Sequence, residues 1–392
     1  MTDLAATGRR SLFTRAFALV FLANLCQGWG FNLFLHLPGF LSDLGANDVV
    51  IGFIFGVTGV TAIAARPPIG RFMDLRGRRG IILVGGVLNV CAGAAYLTVE
   101  AIGPWIVCIR VFHGLAEGML FTGLFTYGAD CVPADRRTQG LALFGVSGMA
   151  PIALGATLGD EILKLWDFQG LFWAALGFAV LSLLFSLPLR DVHRAQGETA
   201  EPSRGFLAAL RQRELLPLWW IGAIFAVALA SVFTFLKRYV DETGHGTVPG
   251  FFNAYTAMAL LLRVFLGWLP DRIGPLRVLL PALVCLVLAF SLLALADGSA
   301  EVVMAGLLFG VGHGFTFPIL FGIVVTRARD SDRGSAMGIL TGLFDLGVVL
   351  GGPFFGAIIT GWGFSAAFGT AAAVVALGTA VFVVWDTATR RV

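Results

Sequence analysis

The sequence has 392 residues, of which 57% are hydrophobic and only 13% are charged. Soluble domains average about 25% charged residues, and a compact water-soluble chain cannot hide this much apolar surface. The net charge of +3 is small, and no basic patch with interleaved aromatic residues indicates a nucleic-acid partner. These features exclude an ordinary soluble protein and a nucleic-acid-binding protein, and they make the lipid bilayer the expected solvent.

Twelve apolar runs are each long enough to cross the hydrocarbon core, which takes about 20 residues of helix. The runs are continuous, as in Ile81-Ile82-Leu83-Val84, whereas the strands of a membrane barrel alternate polar and apolar residues. The sequence therefore predicts an all-α integral membrane protein. The predicted spans 1 to 12 lie near 14–36, 50–69, 81–99, 105–129, 139–161, 168–189, 216–236, 250–270, 276–296, 301–326, 334–360 and 364–385.

The basic residues are distributed unevenly between the two sides of these spans. With the N-terminus in the cytoplasm, only Lys164, Lys237 and Arg238 of the 27 Lys and Arg residues fall outside, and Arg110 falls within span 4. Cytoplasmic loops carry the excess of Lys and Arg. We therefore expect both termini and the polar segment 190–214 to be cytoplasmic.

The chain shows an internal repeat of six spans. Segment 66–74 aligns with 263–271 through shared Arg, Gly and Asp, and His113-Gly114 aligns with His313-Gly314 at a similar shift. Parallel six-helix repeats with a solute site between them are a known transporter plan. The predicted division is an N-terminal bundle at 1–189, a linker at 190–214 and a C-terminal bundle at 215–392.

A short motif of glycine, carboxylate and arginine follows span 2, in what we predict to be a cytoplasmic loop. Its glycines allow a sharp turn and close helix approach, and its carboxylate can cap a helix N-terminus or hold a guanidinium group. A plain positive-inside loop is the alternative. With the weaker copy after span 8, the predicted cytoplasmic gate comprises Gly70, Asp74, Arg76, Gly77, Arg78, Arg79, Asp271 and Arg272.

The motif resembles the loop signature of the major facilitator superfamily, G-x-x-x-D-[RK]-x-G-R-[RK], with Leu75 in place of one basic residue. The resemblance implies two pseudo-symmetric six-helix bundles that transport a small molecule by alternating access. Arg110-Val-Phe-His113-Gly114 is similar to a second family motif, R-x-x-Q-G, associated with proton-coupled members. Arg66-Pro67 and the Asp130 to Arg137 segment look most like the drug and metabolite efflux branch.

Small residues and prolines in spans 5 and 11 partly match an antiporter motif of that branch. They support close helix packing, and ordinary small-residue packing without a functional role is the alternative. The residues concerned are Pro151, Gly155, Gly352, Pro353 and Gly356.

Several ionisable residues fall inside the predicted spans. Such a residue costs at least roughly 2.5–3.5 kcal/mol to insert, so it usually faces a cavity and has a function. Arg110, His113 and Glu117 share one face of span 4 because they are spaced by 3 and 4 residues. With Asp345 and His313 they form the predicted proton-coupling set. The alternatives are a structural ion pair for Glu117 and Arg110, and histidines bonded to backbone carbonyls.

Polar and aromatic residues in other spans are candidates for the solute pathway. Span 1 lines the cavity in the family, and its polar side chains would either bind solute or join helices. The predicted lining residues are Asn24, Gln27, Asn32, Phe225, Phe233 and Tyr255.

The leading functional hypothesis is proton-coupled secondary transport that exports a small amphipathic molecule. Proton-coupled uptake of a small polar or anionic solute is the alternative, and a non-transporting receptor or scaffold is a third. No G-x-x-x-x-G-K-[ST], H-E-x-x-H or G-x-S-x-G motif occurs, so neither ATP nor enzyme chemistry is indicated. We expect a monomer without cofactor or metal, in a bacterial inner membrane, with protons, lipid and a small molecule as partners.

Overall fold

The computed structural model describes residues 12–191 and 204–390, in which all regular structure is helical. Twelve long helices correspond to the twelve predicted spans, so the predicted all-α membrane fold is confirmed. They are α1 (Arg15–Leu33), α2 (Asp48–Arg76), α3 (Arg79–Tyr96), α4 (Pro104–Cys131), α5 (Arg137–Leu165), α6 (Phe168–Ser186), α7 (Leu216–Thr243), α8 (Val248–Phe265), α9 (Pro275–Leu295), α10 (Ser299–Arg327), α11 (333–362) and α12 (364–390).

Local sequence signals fix several helix ends. The side chains of Thr14, Asn47, Asp167 and Thr247 each accept a hydrogen bond from a backbone N–H in the first turn of α1, α2, α6 and α8, respectively. These are preferred N-cap residues because they satisfy a backbone donor that has no partner within the helix. Gly363 separates α11 from α12 with φ 82°, a left-handed conformation that glycine adopts without a steric penalty.

Helix α2 is longer than the apolar run that predicts it. It continues to Arg76, so Gly70 and Asp74 lie on a helix and not in the loop where the sequence placed them. Only Gly77, with φ 86°, and Arg78 form the turn before α3. An apolar run reports the thickness of the hydrocarbon core, whereas helical hydrogen bonding continues into the polar interface. The helix therefore fixes the position of Asp74 along the axis of α2.

Contacts between residues 12–191 and 204–390 are concentrated toward the end of the bundle where α2 meets α3 and α4 meets α5. We call this the basic end. Here α2 packs on α11, and α5 packs on α8 and α10. A Cβ atom on Gly70 would lie 2.8 Å from the Cα of Ser335, so the absence of a side chain permits this approach. The ring of Phe125 lies 5.7 Å from that of Phe317 across the same interface.

The predicted linker lies partly outside the described residues, because 192–203 are not described. Its described part contains the short helix Phe206–Leu210. The limits of the two bundles stay a prediction.

Candidate functional site

Arg66 joins the two halves near the middle of the bundle. Its Nη2 lies 2.5 Å from Oδ2 of Asp345, and its Nη1 donates to Thr341 at 2.8 Å and to Thr122. The ring of Phe121 lies 5.3 Å from the guanidinium carbon. Only 3% of the Arg66 surface is exposed. Its two terminal nitrogens bond to protein groups, whereas its Nε has no hydrogen-bond partner in the described part of the chain.

The helix positions of Arg66 and Asp345 place the pair near mid-membrane. At 1.5 Å rise per residue, Asp345 lies about 18 Å from the start of α11 and Arg66 about 15 Å from the end of α2. The hydrocarbon core is about 30 Å thick. Pro67 and Pro68 follow Arg66 within α2; each proline removes a helical hydrogen bond and favours a local bend.

Glu117 belongs to a polar chain inside the N-terminal half. It accepts a hydrogen bond from the Gln27 amide nitrogen, and the Gln27 oxygen accepts one from Asn89 at 2.8 Å. The chain thereby links α3, α1 and α4. Glu117 also lies within electrostatic range of Arg66, Asp345 and Arg110. Two carboxylates and the Arg66 guanidinium thus lie near the centre of the protein, with Arg66 paired to Asp345; we call Arg66, Glu117 and Asp345 the central cluster.

The other members of the predicted coupling set lie elsewhere. Arg110 donates to the backbone carbonyls of Ile54 at 3.1 Å and Phe55 at 2.9 Å, and to the Tyr96 hydroxyl at 3.3 Å. His113 Nδ1 lies 3.1 Å from the same hydroxyl. The structure thus brings Arg110 and His113 together through Tyr96, but it pairs neither of them with Glu117. Arg110 attaches α4 to α2.

His313 repeats this arrangement in the C-terminal half. Its Nδ1 lies 3.0 Å from the hydroxyl of Tyr255, and the Phe225 ring stacks on it at 5.6 Å. Tyr255 and Phe225 are buried, whereas Phe233 is 40% exposed. Of the three aromatic residues predicted to line the solute pathway, only Phe233 presents substantial surface in this conformation.

The predicted polar residues of α1 are satisfied by protein groups. Asn24 donates to Ser147 on α5 at 2.8 Å, and Asn32 donates to the carbonyl of Gly28 in its own helix at 2.8 Å. Gln27 joins Glu117, as described above. All three are buried; in this conformation Asn24 and Gln27 connect helices, and Asn32 bonds within α1.

The predicted packing residues divide into two groups. Gly28 lies against Pro151, and Gly155 lies against Asn32, so the small residues of α5 do bring α1 close. On α11, Gly356 approaches Phe235. Gly352 differs from the predicted close packing, because a Cβ atom there would meet no atom within 4 Å. The close approach of α11 to α7 occurs instead at Gly347 and Gly351, which face α7 and contact Ala226, Val227 and Ala230.

The basic end is closed by two carboxylates that each cap a helix of the opposite half. Asp74 accepts hydrogen bonds from the backbone N–H groups of Gly334 at 2.6 Å and Ser335 at 2.9 Å, at the start of α11. Asp271 accepts from the N–H groups of Thr138 and Gln139, at 2.9 and 2.7 Å, at the start of α5. A carboxylate at a helix N-terminus is stabilised by the helix dipole.

The arginines of the predicted gate have other partners. Arg78 pairs with Asp130 at 2.8 Å, and Arg79 donates to the carbonyl of Leu189 at 2.6 Å. Arg76 lies over the Phe72 ring and Arg272 over the Trp268 ring. Asp74 therefore binds backbone amides of α11, whereas the arginines bind within their own half.

A family model described as Major Facilitator Superfamily matches residues 17–329 and 252–392. The chain belongs to the Major Facilitator Superfamily. The MFS-type transporter YhhS of Escherichia coli strain K12 is 24% identical over 363 residues, covering 89% of this chain and 86% of the relative. YhhS of Salmonella typhimurium is 26% identical over 366 residues, with the same coverage of both chains.

Solved structures share the major facilitator fold. The human organic anion transporter MFSD10 superposes with TM-score 0.79 at 21% identity, covering 94% of this chain and 99% of that one. A bacterial homologue of the iron transporter ferroportin in its outward-facing state gives TM-score 0.76 at 16% identity, covering 95% and 100%. The protein is therefore a multi-pass membrane transporter of this superfamily and not an enzyme.

Proposed function

We propose that this major facilitator protein is a proton-coupled secondary transporter that exports a small amphipathic organic molecule by alternating access. The Arg66–Asp345 ion pair carries the proposal. It joins the two halves near mid-membrane, so the halves cannot separate at the basic end without breaking it. Separating the two charges of a buried ion pair is costly, and a proton on Asp345 or on Glu117 alters that cost because it changes the charge balance around Arg66.

The charges of the central cluster favour the binding of one proton. Arg66 carries one positive charge, and Asp345 and Glu117 each carry one negative charge when ionised. Because net charge inside the membrane is costly, the cluster is most stable with one proton bound. Gln27 donates its amide N–H to the Oε1 of Glu117, which leaves the other carboxyl oxygen able to hold that proton while Arg66 pairs with Asp345.

Separation of the halves changes the partner of Arg66. Arg66 and Glu117 lie on α2 and α4 of one half, whereas Asp345 lies on α11 of the other. When the basic end opens, Arg66 loses Asp345 and remains on the same half as Glu117, where its positive charge favours release of the Glu117 proton. When that end closes again, Arg66 forms its ion pair with Asp345, and Glu117 binds a proton from the opposite side of the membrane.

The distribution of basic residues supports an orientation with the basic end in the cytoplasm. Placed in the cytoplasm, the basic end is the closed side, so the solute pathway opens outward in this conformation. The bacterial ferroportin homologue with which this chain superposes is in an outward-facing state, and the halves here make their contacts at the basic end. Proton entry from outside then drives solute out, in a bacterial inner membrane. The same cluster supports uptake if solute and proton bind together.

A flux assay in proteoliposomes tests the proposal. Purified protein is reconstituted with a pH-sensitive dye inside the vesicles, and a panel of small organic solutes is added under an imposed pH gradient. A transported solute should move protons, and reversing the gradient should reverse solute accumulation. Solute flux that is independent of the gradient would contradict proton coupling. The direction of proton movement relative to solute separates export from uptake.

A further inference from the structure

Arg263 on α8 is a second arginine buried between the halves. It is 2% exposed, its Nε donates to the carbonyl of Gly314 at 3.3 Å, and its guanidinium carbon lies 5.8 Å from the Phe317 ring. In the described part of the chain no carboxylate forms an ion pair with it. A guanidinium that is buried without an anion is costly, so this arrangement needs an explanation.

The internal repeat shows which partners of Arg66 have no equivalent at Arg263. Arg263 corresponds to Arg66 in the repeat. Asp74 caps α11 at Ser335, and Asp271, its counterpart in the repeat, caps α5 at Gln139. Positions in α11 and α5 therefore correspond at an offset of 196 residues. The same offset relates Thr341 and Asp345, the partners of Arg66, to Gly145 and Met149.

The contacts of Arg263 agree with this correspondence. Its Nη1 lies against Gly145 so closely that a Cβ atom there would collide with it, whereas Nη1 of Arg66 bonds the hydroxyl of Thr341. Met149, in place of Asp345, is buried and carries no charge. One arginine of the repeat thus has a resident hydroxyl and carboxylate, and the other has a glycine and a methionine.

We propose that Arg263 binds the anionic group of the transported solute, so that the substrate is an amphipathic organic anion carrying a carboxylate or sulfonate. The inference rests on the proposed transport function. A guanidinium group presents donors in a planar fork that matches such groups. The apolar body of the solute would lie on the neighbouring rings of Phe317 and His313, whose centroids are 6.0 Å apart.

Access to Arg263 depends on the conformational state. Gly145 belongs to α5 and Arg263 to α8, so the contact that buries the guanidinium is one that opens when the basic end opens. An anion arriving from that end neutralises the charge before the halves close over it. Because the anion reaches Arg263 only when this contact is open, it binds the two states with different affinity and shifts the equilibrium between them.

Thermal unfolding of the purified protein in detergent tests the inference. The probes are 1-naphthoate and 1-naphthalenesulfonate as anions, 1-naphthamide as the neutral isostere and 1-naphthylmethylammonium as the cation. The variants are Met149→Asp, which supplies Arg263 with the carboxylate that Arg66 already has, Arg263→Gln, and Arg277→Gln as the control. Arg277 is an exposed arginine at the basic end.

The anions should raise the Tm of the wild type in a saturable manner, and the amide and the ammonium should not. Loss of a buried charge partner corresponds to a factor of about 30 or more in affinity. Both Met149→Asp and Arg263→Gln should weaken anion binding by that factor, and Arg277→Gln should leave it unchanged. Met149→Asp keeps the test valid if Arg263→Gln fails to fold, because it completes an ion pair.

Equal stabilisation by the amide would overturn the inference, as would no shift with either anion, or unchanged anion binding in Met149→Asp. The outcome is separable from that of the proposed function. Proton-driven flux of neutral or cationic solutes alone would refute the anion site and leave coupled transport standing. Anion binding that depends on Arg263, without any proton-linked flux, would do the reverse.

Discussion

Replacing Asp345 by Asn should shift the protein toward the state open at the basic end. The change leaves Arg66 buried without its anion, 2.5 Å from where the carboxylate was. Breaking a buried pair by removing one partner costs about 3–5 kcal/mol. The Asp345 side chain is 31% exposed, and solvent screening lowers the expected cost to about 2–3 kcal/mol. Because opening of the basic end would break the pair in the wild type, the equilibrium should move by about 30- to 150-fold.

Distance measurement between two spin labels detects this shift. Leu187 and Arg277 are exposed at the basic end in opposite halves, so labels at these positions should move apart when that end opens. The labels are introduced as cysteines into a chain that lacks its five native cysteines, and pulsed electron resonance gives the distance distribution. Asp345→Asn should add a longer-distance population.

A matched control separates this effect from general destabilisation. Arg327 and Asp386 form another buried ion pair, but both residues lie in the C-terminal half. Asp386→Asn should therefore lower stability without changing the label distance. The reasoning would be refuted if Asp345→Asn gave the wild-type distribution, or if both variants gave the same change.

Two further predictions concern the basic end and the topology. Asp74→Asn and Asp271→Asn each remove a charge from a helix N-terminus, an interaction worth about 0.3–2 kcal/mol. Each variant should populate the longer distance between the same labels, and the effects should add in the double variant. An unchanged distance distribution would contradict their role in closing this end. The second prediction uses Ser203→Cys, at a position outside the described residues. This cysteine should not react with a membrane-impermeant maleimide in intact cells and should react after the cells are opened. Ready labelling of intact cells would contradict the proposed orientation.

The sequence predicted the helices well because the hydrocarbon core imposes a length on apolar runs. It predicted less where helices leave the core. Helix α7 continues to Thr243, beyond the predicted end at 236, supported by the exposed pairs Lys237–Asp241 and Arg238–Glu242 at 2.6 and 2.5 Å. Such i,i+4 pairs stabilise a helix in water but contribute nothing to an apolar count.

The candidate site was harder to predict because its partners are distant in sequence. Glu117 and Asp345 are recognisable as carboxylates within spans, whereas Arg66 is recognisable only as part of a repeat and a motif. Its position inside span 2 was the available signal. The partner of Arg66 lies 279 residues away, and only packing of the two halves reveals it.

Arg110 shows the opposite case. Spacing on one helix face indicated a partnership with Glu117, yet seven residues of helix separate the two by about 10 Å. The actual acceptors are the backbone carbonyls of Ile54 and Phe55. Carbonyl acceptors are present in every residue, so the sequence carries no signal for them.

The most direct test of proton coupling through the central cluster is the transport behaviour of Glu117→Gln, measured with a solute identified by the flux assay. The amide can neither bind nor release a proton, but it keeps the size of the side chain and the contact with Gln27. The account predicts that this variant exchanges labelled solute across proteoliposome membranes without a pH gradient and cannot accumulate it when a gradient is imposed. Gradient-driven accumulation at the wild-type level and pH dependence would contradict the account.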